Sequence, residues 1–160
     1  MKTLLGRLVA GCLAATLILG AVPALALFQF SDGTRNAAND AIETAIGTAP
    51  VLRLYDGTLP LNCAAARNGT IVAEMTLPSD WLSASSSGSK TLLGVWQDSA
   101  ANAAGSVDYF TIFNSAGTTC HIQGTATNTG GGGDLQLQNI NINAGQTVTI
   151  TSFALNMGGG

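Results

Sequence analysis

The stretch Val107-Asp108-Tyr109-Phe110-Thr111-Ile112-Phe113 decides the fold class. Aromatic and β-branched residues occupy both parities of the run, which predicts a central strand covered on both faces. Asn114-Ser115-Ala116-Gly117 follows as a turn signal, and residues 119–125 return as its hairpin partner.

Further strand signals lie on either side. Residues 51–55 form one, ended by Asp56-Gly57. Residues 70–77 alternate, with Ile71, Ala73, Met75 and Leu77 on one face and Glu74 and Thr76 on the other, until Pro78 stops them. Residues 92–97 form another run. Residues 135–142 and 147–157 complete the set, joined by Asn143-Ala144-Gly145. These last two slip phase: Leu135 and Leu137 give way to Ile140 and Ile142, and Val148 and Ile150 to Phe153, Leu155 and Met157. One extra residue does this, which predicts bulges near Asn139 and Ser152. The single alternative is that each run is two strands with a kink.

Residues 31–46 are the exception to this β pattern. Ser31 or Asp32 can cap a helix, and Ala38, Ala41, Ile42, Ala45 and Ile46 recur at helical spacing before Gly47 and Pro50 end it. This narrow stripe needs another surface, either the body of the domain or a neighbouring subunit. The expected fold is therefore mainly β: an antiparallel β-sandwich, jelly-roll or Ig-like, of about seven or eight strands preceded by one short α-helix. Residues 83–89 and 130–133 (Gly-Gly-Gly-Gly) read as flexible loops.

Residues 1–26 have the architecture of a secretory signal peptide. Lys2 and Arg7 form a positive start, residues 8–19 an uncharged apolar core, and Ala24-Leu25-Ala26 a small-x-small site that predicts cleavage after Ala26. A retained membrane anchor is the alternative. The organisation expected is a 1–26 leader, a 27–50 helical segment and a 51–160 β domain.

Charge narrows the function. Only 9% of the 160 residues are charged, against about 25% in ordinary soluble proteins. Residues 27–160 carry four basic and nine acidic side chains, a net −5. Phosphate binding needs clustered Lys and Arg, so a nucleic-acid partner is not expected. Cys63 and Cys120 allow one disulfide, or two buried thiols. His121 beside Cys120 makes a poor metal site, because zinc takes about four ligands. The two cannot act as a nucleophilic pair either, since adjacent strand residues point to opposite faces. Asp98 and Asp108 read as solvated acids rather than paired carboxylates. Residues 129–134 (Thr-Gly-Gly-Gly-Gly-Asp) lack the Gly-Lys-Ser/Thr of a phosphate loop. Neither an enzyme nor a cofactor is expected.

Several short motifs occur in order: Phe28-Gln29-Phe30-Ser31-Asp32 before an Ala-rich helix, Leu52-Arg53-Leu54-Tyr55-Asp56-Gly57, and Leu77-Pro78-Ser79-Asp80-Trp81. Then come Asn114-Ser115-Ala116-Gly117-Thr118-Thr119-Cys120-His121 with Gln123-Gly124, Gly131-Gly132-Gly133-Asp134, and Gly145-Gln146-Thr147-Val148. In this order and spacing the chain from Phe28 to Met157 resembles a family of small bacteriophage structural proteins. Each motif is short and rich in Gly, Ala and Thr, so order and spacing carry the likeness. The resemblance implies a non-enzymatic, virion-associated β-sandwich of tail-associated, fibre or capsid-decoration type. Its partners would be copies of itself and other virion proteins. It also implies that Cys63 and Cys120 lie close together.

The leader departs from that family, whose members begin close to Phe28. Initiation at Leu27 would make residues 1–26 a spurious extension, whereas a genuine leader would make the protein secreted or periplasmic. Two expectations follow. One is a virion structural subunit acting by contact. The other is an exported bacterial β-sandwich that binds a host surface or glycan through exposed Tyr55, Trp81 or Trp96, although the two tryptophans read as core anchors by default.

Overall fold

The computed structural model describes residues 28–158. The leader and its cleavage position after Ala26 lie outside the described residues. Helix α1 (Asp32–Ile46) starts at Ser31, whose hydroxyl accepts from the Thr34 amide, and ends at Gly47, whose N–H donates to Glu43 O. Eleven short strands follow: β1 (Val51–Tyr55), β2 (Ile71–Thr76), β3 (Ser89–Thr91), β4 (Trp96–Asp98), β5 (Gly105–Ser106) and β6 (Tyr109–Phe113), then β7 (Cys120–Asn128), β8 (Leu135–Leu137), β9 (Asn141–Ile142), β10 (Val148–Ile150) and β11 (Ala154–Asn156). The described residues are mainly β with one helix, and their strands outnumber the seven or eight expected.

The largest sheet has the order β2-β1-β6-β7-β8. β6 lies between β1 and β7, and all five of its residues are buried. Its apolar residues at both parities satisfy two faces at once. Leu52 and Leu54 of β1 and Phe110 and Ile112 of β6 join the main core cluster with Trp81, Trp96, Val148, Ile150 and Phe153. Val51, Arg53 and Tyr55 stand opposite Phe113, Thr111 and Tyr109 on the other face. Three further antiparallel pairs, β4–β10, β3–β11 and β5–β9, supply the remaining ladders.

The strand count rises because the two phase-slipped runs divide where they change neighbours. β8 pairs with β7, but after Gln138-Asn139-Ile140 the chain continues as β9 against β5. β10 pairs with β4, and after Thr151-Ser152-Phe153 β11 pairs with β3. The expected bulges near Asn139 and Ser152 are thus breaks, and the kinked alternative describes the chain. Register shifts occur instead at Leu54/Tyr55 and Ile112/Phe113.

The ladders are not all antiparallel, because β8 runs parallel to β7. Residues 129–134 make that crossover, and the glycines are built into it. Gly130 N–H donates to Gln136 Oε1 at 2.7 Å and Gly133 N–H to Thr127 Oγ1 at 3.0 Å. A Cβ at Gly133 would lie 2.8 Å from that hydroxyl. The segment read as a flexible loop is a crossover pinned by its flanking strands.

Candidate functional site

Cys63 and Cys120 are joined, with Cα atoms 5.3 Å apart. Cys120 opens β7, and Cys63 belongs to the fifteen residues that connect β1 to β2. This connection lies over the face of the five-stranded sheet opposite the main core. Gln123 Nε2 of β7 donates to Pro60 O at 2.7 Å, and the Tyr109 hydroxyl of β6 donates to Asn68 O at 2.6 Å. The Arg67 guanidinium stands over the Phe113 ring, 5.5 Å from its centroid, and Arg53 stands 4.7 Å from it. The ends of the connection are closed by Asp56, whose N–H donates to Thr70 O at 3.1 Å and whose carboxylate accepts from the Thr70 amide at 2.6 Å. The result is a strap of irregular chain over a sheet face lined by Val51, Tyr55, Tyr109, Thr111 and Phe113, all buried.

That geometry bears out the core reading of Trp81 and Trp96 and corrects the contact role considered for them and for Tyr55. Tyr55 is buried, stacked on Tyr109. Trp81 and Trp96 are wholly buried, with ring centroids 5.9 Å apart. Their indole N–H groups donate to Gly47 O at 3.2 Å and Leu93 O at 3.1 Å, so both rings enter the core with their polar atom paired. None of the three presents a ring to a ligand. Among the described residues, the exposed large apolar side chains are Phe28, Phe30, Leu61, Leu93 and Val95.

The helix docks on the body through Ile46, which joins the main core cluster, Ile42, which packs against it, and several polar side chains. Ala41 and Ala45 of the expected stripe are exposed, Ala38 and Ile42 are half-buried, and Ile46 is buried. Wholly buried Asn39 donates to Gly88 O at 2.8 Å, and Asn36 Oδ1 accepts from the Gly88 amide at 2.8 Å and from Ser85 Oγ at 3.1 Å. Lys90 of β3 is 4% exposed and reaches Glu43 Oε2 at 2.6 Å and Asp40 Oδ1 at 2.8 Å. Burial opposes the charge on Lys90, but the hydrogen bonds and charges of Asp40 and Glu43 outweigh it and hold the ammonium above the ordinary lysine value.

The acids considered for chemistry hold backbone. Asp98 accepts from the Glu74 and Ala100 amides, Asp108 from the Gly57 amide, and Asp134 from the Thr125 amide and hydroxyl. His121 is exposed, while the neighbouring Cys120 sulfur is bonded to Cys63. Among the described residues, no group of three or more His, Cys, Asp or Glu is placed to hold a metal ion. No helix among them is long and apolar enough to cross a membrane.

Two shallow recesses adjoin along the seam between β7–β8 and β11, of about 380 and 360 Å³. They share Asp134, Phe153, Ala154 and Asn156, and are otherwise lined mainly by amides, hydroxyls and core edges. Sequence reasoning missed this seam, because its lining comes from four separated segments with no common motif. Comparison of the chain with protein-family models, with curated proteins and with solved structures finds no match.

Proposed function

We propose that this chain is a non-enzymatic structural subunit of a bacteriophage virion, of tail, fibre or capsid-decoration type, acting through contacts with its own copies and other virion proteins. The observation that carries this reading is the state of its cations. Each of the four basic side chains among the described residues is engaged internally. Arg35 pairs with Asp32, Arg53 with Glu74, and Lys90 with Asp40 and Glu43, while Arg67 donates to Cys63 O and Ala65 O. The outer surface is left to hydroxyl, amide and methyl groups with a few acids. Burying such a surface against a partner desolvates little charge, and it still offers hydrogen bonds at every step. Exposed Phe28, Phe30, Leu61, Leu93 and Val95 add apolar contact points.

In the same reading, the five-stranded sheet and the β4–β10 and β3–β11 pairs are the two layers of a β-sandwich. The Phe110 and Phe153 rings, 6.2 Å apart and nearly perpendicular, support that arrangement. A disulfide suits a particle that leaves the cell, since virion surfaces meet an oxidising medium.

The same disulfide, with the signal-like leader, favours a second reading as an exported protein that binds a surface. Its contacts would then be side chains other than Tyr55, Trp81 and Trp96.

Fractionation of a producing culture separates the two. The virion reading expects the chain in density-banded particles, with an N-terminus initiated at residue 27 and hence beginning with Met. Recovery only as free protein outside the cytoplasm, beginning with Leu27 after cleavage, would replace it with the exported reading.

A further inference from the structure

We propose that the Cys63–Cys120 bond is a redox latch whose reduction releases the strap of residues 60–68 from the sheet while the main core stays folded. The strap holds no helix or strand of its own. Much of its bonding is internal: Asn62 Oδ1 accepts from the Ala64 and Ala65 amides, and Arg67 donates to Cys63 O. Across to the sheet it makes the covalent bond, the Gln123–Pro60 and Tyr109–Asn68 hydrogen bonds, and the Arg67–Phe113 contact. Leu61, near its start, is 94% exposed and anchors nothing.

The interface beneath is also imperfectly satisfied. Thr111 Oγ1, Gln123 Oε1 and Arg67 Nε are buried without a protein partner, and releasing the strap would return them to water. The main core lies on the opposite face of β1 and β6, so its packing does not depend on the strap. Segments with few apolar anchors and irregular backbone are the ones that open locally.

Both cysteines are half-buried, so a thiolate has access. A dithiol reductant attacks one sulfur and forms a mixed disulfide. Its second thiolate then displaces that sulfur. Two electrons and two protons pass to the protein, which leaves Cys63 and Cys120 as thiols and the reagent as a disulfide. A reducing cytosol would hold the latch open, and an oxidising exterior would close it. The inference stands under either reading of function.

Limited trypsin digestion of the full-length oxidised chain, with and without dithiothreitol, tests it, because Arg67 lies in the strap while Arg35, Arg53 and Lys90 lie in α1, β1 and β3. Reduction is expected to speed cleavage after Arg67 by about ten-fold or more, as the open population rises. Cleavage after Arg53 and the far-ultraviolet circular dichroism should not change. Cys63→Ser, without reductant, should match the reduced protein. Equal cleavage after Arg67 in both redox states would overturn the latch, as would equal acceleration after Arg53, which signals global unfolding.

Discussion

Tyr55 on β1 and Tyr109 on β6 face each other across the ladder, their rings stacked 4.7 Å apart and 3° from parallel. A stacked, buried pair contributes through packing, so Tyr55→Ala should behave as a core truncation. The expected cost is about 3 kcal/mol or more, measured by urea unfolding. Tyr55→Phe should stay within about 1 kcal/mol of the parent, because its ring is retained. A Tyr55→Ala protein as stable as the parent would contradict this packing role.

The Tyr109 hydroxyl gives that pair a pH dependence. Burial first, and the neighbouring Tyr55 second, push its pKa above the ordinary tyrosine value of 10.0. The folded state therefore keeps a proton that the unfolded chain releases at lower pH. The contribution is fully present below about pH 10 and is lost as pH rises through the folded-state pKa. Tyr109→Phe should lower neutral-pH stability by about 1 kcal/mol through loss of the bond to Asn68. It should also flatten the fall in melting temperature above about pH 10. An equally steep alkaline fall in the variant would assign that dependence to other groups.

Lys90 is the buried anchor of the helix. Lys90→Met keeps the aliphatic stem but leaves Glu43 and Asp40 without their cation. We expect a loss of about 1–3 kcal/mol, below that of a fully buried pair because both carboxylates keep some solvent. Asp40→Asn should cost less than about 1 kcal/mol, since the Asp40 side chain is 58% exposed. Chemical denaturation of both variants orders the two partners. A larger loss for Asp40→Asn than for Lys90→Met would reverse the assignment.

The central strand and the helix cap were legible because each is written in a few adjacent residues. Residues 107–113 show two apolar parities, and Ser31 precedes the first turn. The phase slips at residues 138–140 and 151–153 were legible too, but only as an interruption, since the change of pairing partner depends on β5 and β3 far away in the chain. The helix face was legible only at its Ile42 and Ile46 end, for a related reason. Asn36 and Asn39 look like solvent residues until Gly88 supplies a backbone donor and acceptor for them. The strap had no periodicity to read, and Cys63 and Cys120 alone said nothing about which sheet face it would cover. The indoles of Trp81 and Trp96 suited either core or contact, and only the nearby Gly47 and Leu93 carbonyls decide for the core.

Gly69 closes the strap at its far end. Its φ is +81°, and an added Cβ would lie 1.5 Å from Asp56 O, an overlap with backbone that no rotamer relieves. Gly69→Ala must therefore break the Asp56–Thr70 closure. The expected loss exceeds the roughly 1 kcal/mol of a simple left-handed penalty and should approach about 3 kcal/mol. Gly145→Ala is the matched control, with positive φ (+77°) but nothing within 4 Å of the added carbon. It should cost only the conformational part. Equal melting temperatures for the two variants would show that the close approach to Asp56 carries no weight.

Phe153 sits where the two phase-slipped halves of residues 147–157 part, and it joins both sides of the core. Its ring lies 5.2 Å from Trp96 of β4 and 6.2 Å from Phe110 of β6. If the two layers close through this ring, Phe153→Ala removes one side of each contact and opens a cavity beside a recess that already reaches Phe110. The expected cost is about 3–5 kcal/mol. Phe153→Leu should recover most of it, because an apolar side chain of similar reach still fills the gap. The coupling to Trp96 is separable by a double-mutant cycle. Phe153→Ala and Trp96→Phe should show an interaction energy of at least about 0.5 kcal/mol. Strict additivity would mean that Phe153 plugs the seam without coupling the layers, leaving the sandwich reading without its central contact.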